Sequence, residues 1–179
     1  MAEKVKLHDK EFEKFIDSER IKQAVEKVAN EINHDLAEKN PLFLVVLNGA
    51  FVFAADLLRL FHHDCDISFI KLSSYIGTKT THTVREVIGL DTNVKGRCVV
   101  LVEDIIDTGI TMEHIMAQMK NMEAKEVKLA TLLFKPNAFE KDFPIDYMGM
   151  EIPDDFIVGC GLDYNGKGRN LPDIFKIVE

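Results

Sequence analysis

The sequence predicts an α/β fold built on an open, mostly parallel sheet, and three observations point there. Leu42–Leu47 is a continuous apolar run, the composition of a strand buried on both faces. Strand-like and helical apolar patterns alternate along the chain. Residues 98–134 read as strand, loop, helix and strand, which implies a right-handed parallel crossover.

Each element has its own signal. Ile21, Val25, Val28, Ile32 and Leu36 recur at helical spacing, with Asp17 or Ser18 placed to cap the helix and Asn40-Pro41 to stop the segment. After the 42–47 strand, Asn48-Gly49 turns the chain. Phe51, Ala54, Ala55, Leu58 and Phe61 then resume a helical period. Ile67, Phe69 and Leu72 alternate with polar residues as a second strand. Residues 75–82 are polar, contain Gly and carry no helical stripe, so they read as a mobile loop at the tip of a hairpin returning through 84–88. Residues 98–102 form a buried strand, 103–109 a polar loop, and Met112, Ile115, Met116 and Met119 mark a helix. Residues 127–134 are another apolar strand. From Phe143 onward, short apolar pieces broken by Pro144, Pro153, Gly159 and Gly161 read as short strands and turns that cover the sheet edge.

Composition narrows the function. At 179 residues the chain suits one domain with a sizeable core, and 46% hydrophobic with 29% charged residues is a globular balance rather than a disordered one. The formal net charge of −8 disfavours nucleic acid and anionic lipid as partners. An odd cysteine count (Cys65, Cys98, Cys160) without a close pair fits a reduced, cytoplasmic protein with small buried thiols. No apolar run approaches a membrane span and the start lacks a leader's apolar stretch. The six His residues show no metal-binding spacing.

The chemistry is concentrated after Val102, in Glu103-Asp104-Ile105-Ile106-Asp107-Thr108-Gly109-Ile110-Thr111. In open α/β sheets ligands bind beyond the carboxyl ends of strands. Three carboxylates leave a buried strand there within five residues, followed by two hydroxyls flanking a glycine at a helix start. The second half suits a phosphate, which backbone amides, Thr hydroxyls and the helix dipole can all meet. The first half supplies acceptors for sugar hydroxyls, Mg²⁺ or both. A ribose 5-phosphate needs both halves. A solvated acidic loop with a capped helix behind it would carry the same residues.

This run closely resembles the PRPP-binding motif of type I phosphoribosyltransferases, in the form found in hypoxanthine-guanine phosphoribosyltransferases (PRPP is phosphoribosyl pyrophosphate). Leu47-Asn48-Gly49, Ser74-Tyr75, Lys135, Phe156 and Gly161-Leu-Asp-Tyr-Asn165 with Arg169 extend the resemblance along most of the chain. It implies a single domain over 1–179, with helices on both faces of a twisted sheet, a flexible hairpin loop, and a small hood made by the N-terminal segment and about 143–179. It implies purine salvage: Mg²⁺-dependent transfer of the phosphoribosyl group from PRPP to N9 of hypoxanthine or guanine, giving IMP or GMP and pyrophosphate. It also implies a homodimer or homotetramer.

Residue by residue, the resemblance puts Glu103 and Asp104 on the ribose hydroxyls, directly or through Mg²⁺, and Asp107 near the purine N7 as a proton-handling group. Asp107, Thr108, Gly109 and Thr111 would wrap the 5′-phosphate. Lys135 would donate to the purine 6-oxo group, a preference that follows from an ammonium having donors alone. Phe156 would stack on the base, with the carbonyls of Ile157 and Asp163 facing its 2-position. Asp163 would help hold a second Mg²⁺. Asn48, Gly49 and Arg169 would meet pyrophosphate, with a cis peptide at Leu47-Asn48, although many members of that family carry Lys where Asn48 stands. Ser74 and Tyr75 would close over the reaction as a lid. Without the resemblance, Lys135 and Arg169 read as surface bases, Asp163 as a turn acid and Phe156 as core. A xanthine-preferring enzyme, a PRPP-binding regulator without activity and a generic nucleotide-binding domain are the alternatives.

Overall fold

The computed structural model describes residues 3–75, 83–88 and 92–178, with side chains outside 72–91. Its elements run β1 (Lys4–Leu7), β2 (Lys10–Ile16), α1 (Ser18–Leu36), β3 (Leu42–Leu47), α2 (Phe51–Arg59), β4 (Asp66–Tyr75), β5 (Thr83–Ile88), β6 (Cys98–Ile106), α3 (Ile110–Asn121), β7 (Glu126–Phe134), β8 (Tyr147–Glu151), β9 (Ile157–Val158) and β10 (Ile174–Ile177). Six strands form the main sheet in the order β5-β4-β3-β6-β7-β8. All its pairings are parallel except β4 with β5, which is the expected hairpin return. The expected loop tip, 76–82, lies outside the described residues.

Two apolar layers explain why β3 is hydrophobic without a break. Phe43 and Val45 face one way, with Val100 and Val102 of β6, onto α1 and α2. Leu42, Leu44 and Val46 face the other way, with Val99 and Leu101, onto Met112, Ile115 and Met119 of α3. The helices therefore cover both faces, as the pattern predicts. Asp17 is the cap of α1, its Oδ1 accepting from the Arg20 N–H at 2.8 Å. Cys98 and Cys160 are buried, and burial pushes their thiols up to about 11 and about 12, so both stay small, neutral core groups.

Two boundaries differ from the sequence reading. β6 does not end at Val102. Its ladder with β7 continues through Glu103 and Ile105 to Ile106, so the acidic pair sits on a strand rather than in a loop. The cause is tertiary: hydrogen bonding to β7 overrides the poor strand propensity of Glu and Asp. β8, within the segment read as short strands covering the sheet edge, pairs in parallel with β7 as the edge strand, so it belongs to the main sheet and not to the hood that the resemblance implied over about 143–179.

A second, antiparallel sheet has the order β1-β2-β10-β9 and joins the beginning of the chain to its end. Its own core is Phe12, Val158 and Phe175. Asp173 links this sheet to α1: Oδ1 accepts from the Ser18 N–H at 2.7 Å, and Oδ2 meets Lys14 Nζ at 2.6 Å. The hydrogen bond from Lys14 holds the Asp173 carboxyl below the usual carboxylate range, helped by the Ser18 amide. Its stabilising contribution is therefore present above the unfolded-state pKa and fades as pH falls through the folded value. Asp173→Asn is expected to cost about 1 kcal/mol at neutral pH, since it leaves one acceptor but removes a charge-assisted bond. Chemical denaturation should show that difference closing below about pH 4.

Candidate active site

The sheet order places the site. β3 connects to β4 on one side, while β6 connects to β7 on the other, so the strand order reverses between β3 and β6. At that reversal a crevice opens at the carboxyl ends. The segments leaving β3, β6 and β7 lie side by side there, because the three strands are parallel neighbours. They carry Asn48-Gly49, the 107–111 turn and Lys135.

After β3, the Leu47-Asn48 peptide is cis. Gly49 abuts the Asp104 carboxylate so closely that a Cβ on Gly49 would collide with it. Gly161 of the second sheet's long loop packs on the Gly49 carbonyl in the same way, at φ 98°. Three segments distant in sequence thus meet here, Gly161 on the Gly49 backbone and Gly49 on the Asp104 carboxylate, and the two glycines are what permit it.

Glu103 and Asp104 are 8% and 7% exposed. Glu103 Oε1 accepts from the Asp104 N–H at 3.1 Å, and Asp104 Oδ1 accepts from the Ile105 N–H at 3.0 Å. Burial holds both carboxyls above the usual range. For Glu103 the neighbouring Asp104 charge adds to this, while for Asp104 hydrogen bonds and the Arg169 guanidinium pull the other way. Buried carboxylate oxygens of this kind suit hydroxyl donors or a hard cation.

Asp104 and Glu103 open on different spaces. Asp104 lines a cleft of about 360 Å³ with Gly49, Ile105, Asp107, Lys135, Phe156, Ile157, Leu162, Asp163 and Arg169. Glu103 lines an adjoining cavity of about 170 Å³ enclosed by 105–112, including Thr108, Gly109 and Thr111. Asp107 borders both. Gly109 begins α3 in the left-handed conformation, at φ 81°, and the Thr108 Oγ1 accepts from the Ile110 N–H at 3.5 Å.

Around the larger cleft, Lys135 is 8% exposed, its N–H donating to Ile106 O at 2.9 Å and its Nζ 3.7 Å from Asp107 Oδ2. Phe156 is 47% exposed although it belongs to an aromatic cluster, with Tyr164 at 5.9 Å edge-on and Phe12 at 6.3 Å. It is braced from behind and open in front. Arg169 is held by Asp163 Oδ1 at 2.6 Å from Nη2 and by the Gly161 carbonyl at 2.7 Å from Nη1. Asp163 Oδ2 also accepts from the Gly166 N–H at 2.6 Å.

The structure thus brings Asp104, Asp107, Lys135, Phe156, Ile157, Asp163, Arg169 and Gly49 to one cleft, and Glu103, Thr108, Gly109 and Thr111 to its neighbour. Among the described residues no three His, Cys, Asp or Glu side chains are grouped to hold one metal ion; the resemblance had put Glu103 and Asp104 on one Mg²⁺ and Asp163 on a second. Asn48 does not line either cavity. Ser74 and Tyr75 end β4 on the same sheet edge by backbone, and their side chains lie outside the described residues. Leu162, part of the 161–165 stretch that carries the resemblance but given no role of its own there, also lines the cleft.

A family model for the phosphoribosyl transferase domain matches residues 13–165. The chain belongs to the phosphoribosyltransferase family. Among similar phosphoribosyltransferases is the hypoxanthine-guanine phosphoribosyltransferase of Aquifex aeolicus, 37% identical over 173 residues, 96% of this chain and 97% of that one. A crystal structure of a hypoxanthine-guanine phosphoribosyltransferase from Bacillus anthracis superposes with a TM-score of 0.86 at 38% identity, covering 93% of this chain and 97% of the other. A hypoxanthine-guanine-xanthine phosphoribosyltransferase superposes with a TM-score of 0.84 at 32% identity, over 93% and 96%. Among the described residues no helix is long and apolar enough to cross a membrane.

Proposed function

We propose that this chain is a purine-salvage enzyme that transfers the 5-phosphoribosyl group of PRPP to N9 of hypoxanthine or guanine, forming IMP or GMP and releasing pyrophosphate. The observation carrying this reading is the adjoining pair of cavities at the sheet's carboxyl edge. One is walled by a helix-start turn rich in amides and hydroxyls, the other by a buried carboxylate, an ammonium, an open aromatic ring and a guanidinium. A ligand with a phosphate at one end, a diol in the middle and a flat oxo base at the other matches that order.

The 107–111 turn binds the 5′-phosphate through backbone amides, the Thr108 and Thr111 hydroxyls and the dipole of α3. Glu103 and Asp104 hold the ribose diol. Lys135 donates to the purine 6-oxo group, Phe156 stacks on the ring, and the Ile157 and Asp163 carbonyls face its 2-position. Asp107, between the two cavities, handles the proton near N7. Arg169, oriented by Asp163, and the backbone at Asn48-Gly49 meet pyrophosphate. Displacement at C1 builds positive charge beside the ring oxygen, so water must be kept out, a task that falls to the hairpin carrying Ser74 and Tyr75.

Glu103 and Asp104 also fit a resident Mg²⁺, because one or two carboxylates plus substrate oxygens is that ion's usual protein coordination. Asp163, whose two oxygens meet Arg169 and the Gly166 N–H, would help hold a second ion. Bound Mg²⁺ would stabilise charge on the leaving pyrophosphate. The single domain spans the whole chain, with a hood of the N-terminal segment and the residues after β8, and the enzyme acts in the cytoplasm as a homodimer or homotetramer.

The deciding assay supplies PRPP and Mg²⁺ with hypoxanthine, guanine, xanthine or adenine in turn and follows nucleotide formation. The expected result is product with hypoxanthine and guanine and little with adenine. Product mainly with xanthine would transfer the assignment to a xanthine-preferring phosphoribosyltransferase. No product with any base would leave a non-catalytic PRPP-binding role.

A further inference from the structure

One segment contacts the 107–111 turn without belonging to either cavity. Residues 136–143 leave β7 directly after Lys135 and return against the turn and the start of α3. The Phe139 ring covers Gly109, where an added Cβ would stand 2.6 Å from Phe139 Cε2 and 2.9 Å from Lys141 Cγ. The Glu140 N–H donates to the Thr108 carbonyl at 3.3 Å. Lys141 Nζ donates to Glu113 Oε2, in the first turn of α3, at 2.7 Å.

Phe139 is itself fixed. It lies edge-on between Phe134, with centroids 5.2 Å apart, and Phe143, at 5.3 Å. That row of rings belongs to the core on the α3 side of the sheet. Meanwhile the N-cap of α3 is Gly109, in the left-handed region and with no side chain of its own to cap the helix, and the nearby Thr108 hydroxyl meets the Ile110 N–H at a long 3.5 Å. A glycine has wide backbone freedom of its own. Here its conformation is braced by packing against the Phe139 ring.

We propose that Phe139 is a positioning residue for the ribose 5′-phosphate: its ring presses on Gly109 and keeps the amides of the turn aimed at the phosphate. Phe139 touches no substrate. The inference rests on the turn being the 5′-phosphate subsite, as proposed above. Preorganised donors lose much of their value when they shift by an ångström, so the cost of losing the ring falls on ligands carrying that phosphate.

The test compares Phe139→Ala and Phe139→Leu with the parent full-length enzyme. For Phe139→Ala, the KM for PRPP and the dissociation constant for IMP should both rise about tenfold. The KM for hypoxanthine and kcat at saturating PRPP should stay within about twofold. Phe139→Leu, which restores apolar bulk, should recover most of the loss. Unchanged PRPP and IMP parameters in a folded Phe139→Ala variant would overturn the proposal, as would equal rises for PRPP and hypoxanthine.

Should Phe139→Ala fail to fold, Gly109→Ala is placed in the parent and in Phe139→Leu. The added methyl should weaken IMP binding less when the ring is gone, whereas additive losses would overturn the proposal. A parent enzyme that binds no IMP would instead overturn the phosphate subsite itself.

Discussion

Replacing Lys135 with Met is expected to lower kcat/KM for hypoxanthine about 10- to 100-fold, the scale of losing a hydrogen bond from a charged donor in a buried site. Lys135 enters the cleft straight from β7, is 8% exposed, and has its backbone tied to β6 through the Ile106 carbonyl. Its distance to Asp107, 3.7 Å, exceeds a hydrogen bond, which leaves its donors for a ligand. Met keeps the length and packing of the side chain while removing every donor. Base choice should change with it. An ammonium favours a carbonyl at the purine 6-position and repels an exocyclic amine, so the hypoxanthine-to-adenine ratio of kcat/KM should narrow in the variant. Steady-state kinetics with both bases gives that ratio, and an unaltered one would remove Lys135 from base recognition.

The second large effect concerns Glu103 and Asp104 and has two parts of opposite sign. Glu103→Gln with Asp104→Asn is expected to reduce kcat about 100- to 1,000-fold, because two preorganised acceptors for the diol and its cation are lost. The same change should stabilise the ligand-free protein. Both carboxyls are held above the usual range chiefly by burial. For an acid whose folded pKa is raised, folding is penalised increasingly as pH climbs above the unfolded value, and the penalty is complete above the folded one. Amides of the same shape avoid it. A gain of about 1 kcal/mol, roughly 2–4 °C in Tm for a chain of this size, is expected at neutral pH, narrowing toward pH 4. An inactive but more stable variant is the mark of residues kept for ligand rather than for the fold.

Much of the architecture was legible because the strongest signals were local. The unbroken 42–47 run, the 3.6-residue stripe from Ile21 to Leu36 and the turn at Asn48-Gly49 each declare their element from neighbouring residues alone. The end of β6 was not legible, since Glu103 and Asp104 have poor strand propensity and are held in the ladder by β7. β8 was misplaced for a similar reason: Tyr147–Glu151 is short and follows a Pro-containing turn, and nothing local says which sheet it will join. The hairpin of β1 and β2 was not anticipated, since the alternation of Val5 and Leu7 with lysines is too short to declare a strand alone.

For the site, the acidic-then-hydroxyl run could be read as sugar and phosphate chemistry directly. The roles of Lys135, Phe156, Asp163 and Arg169 came from resemblance, because a lone lysine or phenylalanine announces nothing. What no local pattern could supply was their pairing. Asp163 orienting Arg169, Gly161 seated on Gly49 and Phe139 covering Gly109 all depend on segments brought together by the fold.

Calorimetric titration of PRPP with Mg²⁺ into the parent enzyme and into the Glu103→Gln, Asp104→Asn variant addresses the ribose 5-phosphate grip most directly. Tight binding to the parent and binding at least about 100-fold weaker to the variant is the predicted result, equivalent to roughly 2.7 kcal/mol. Equal affinity for the two proteins would contradict it.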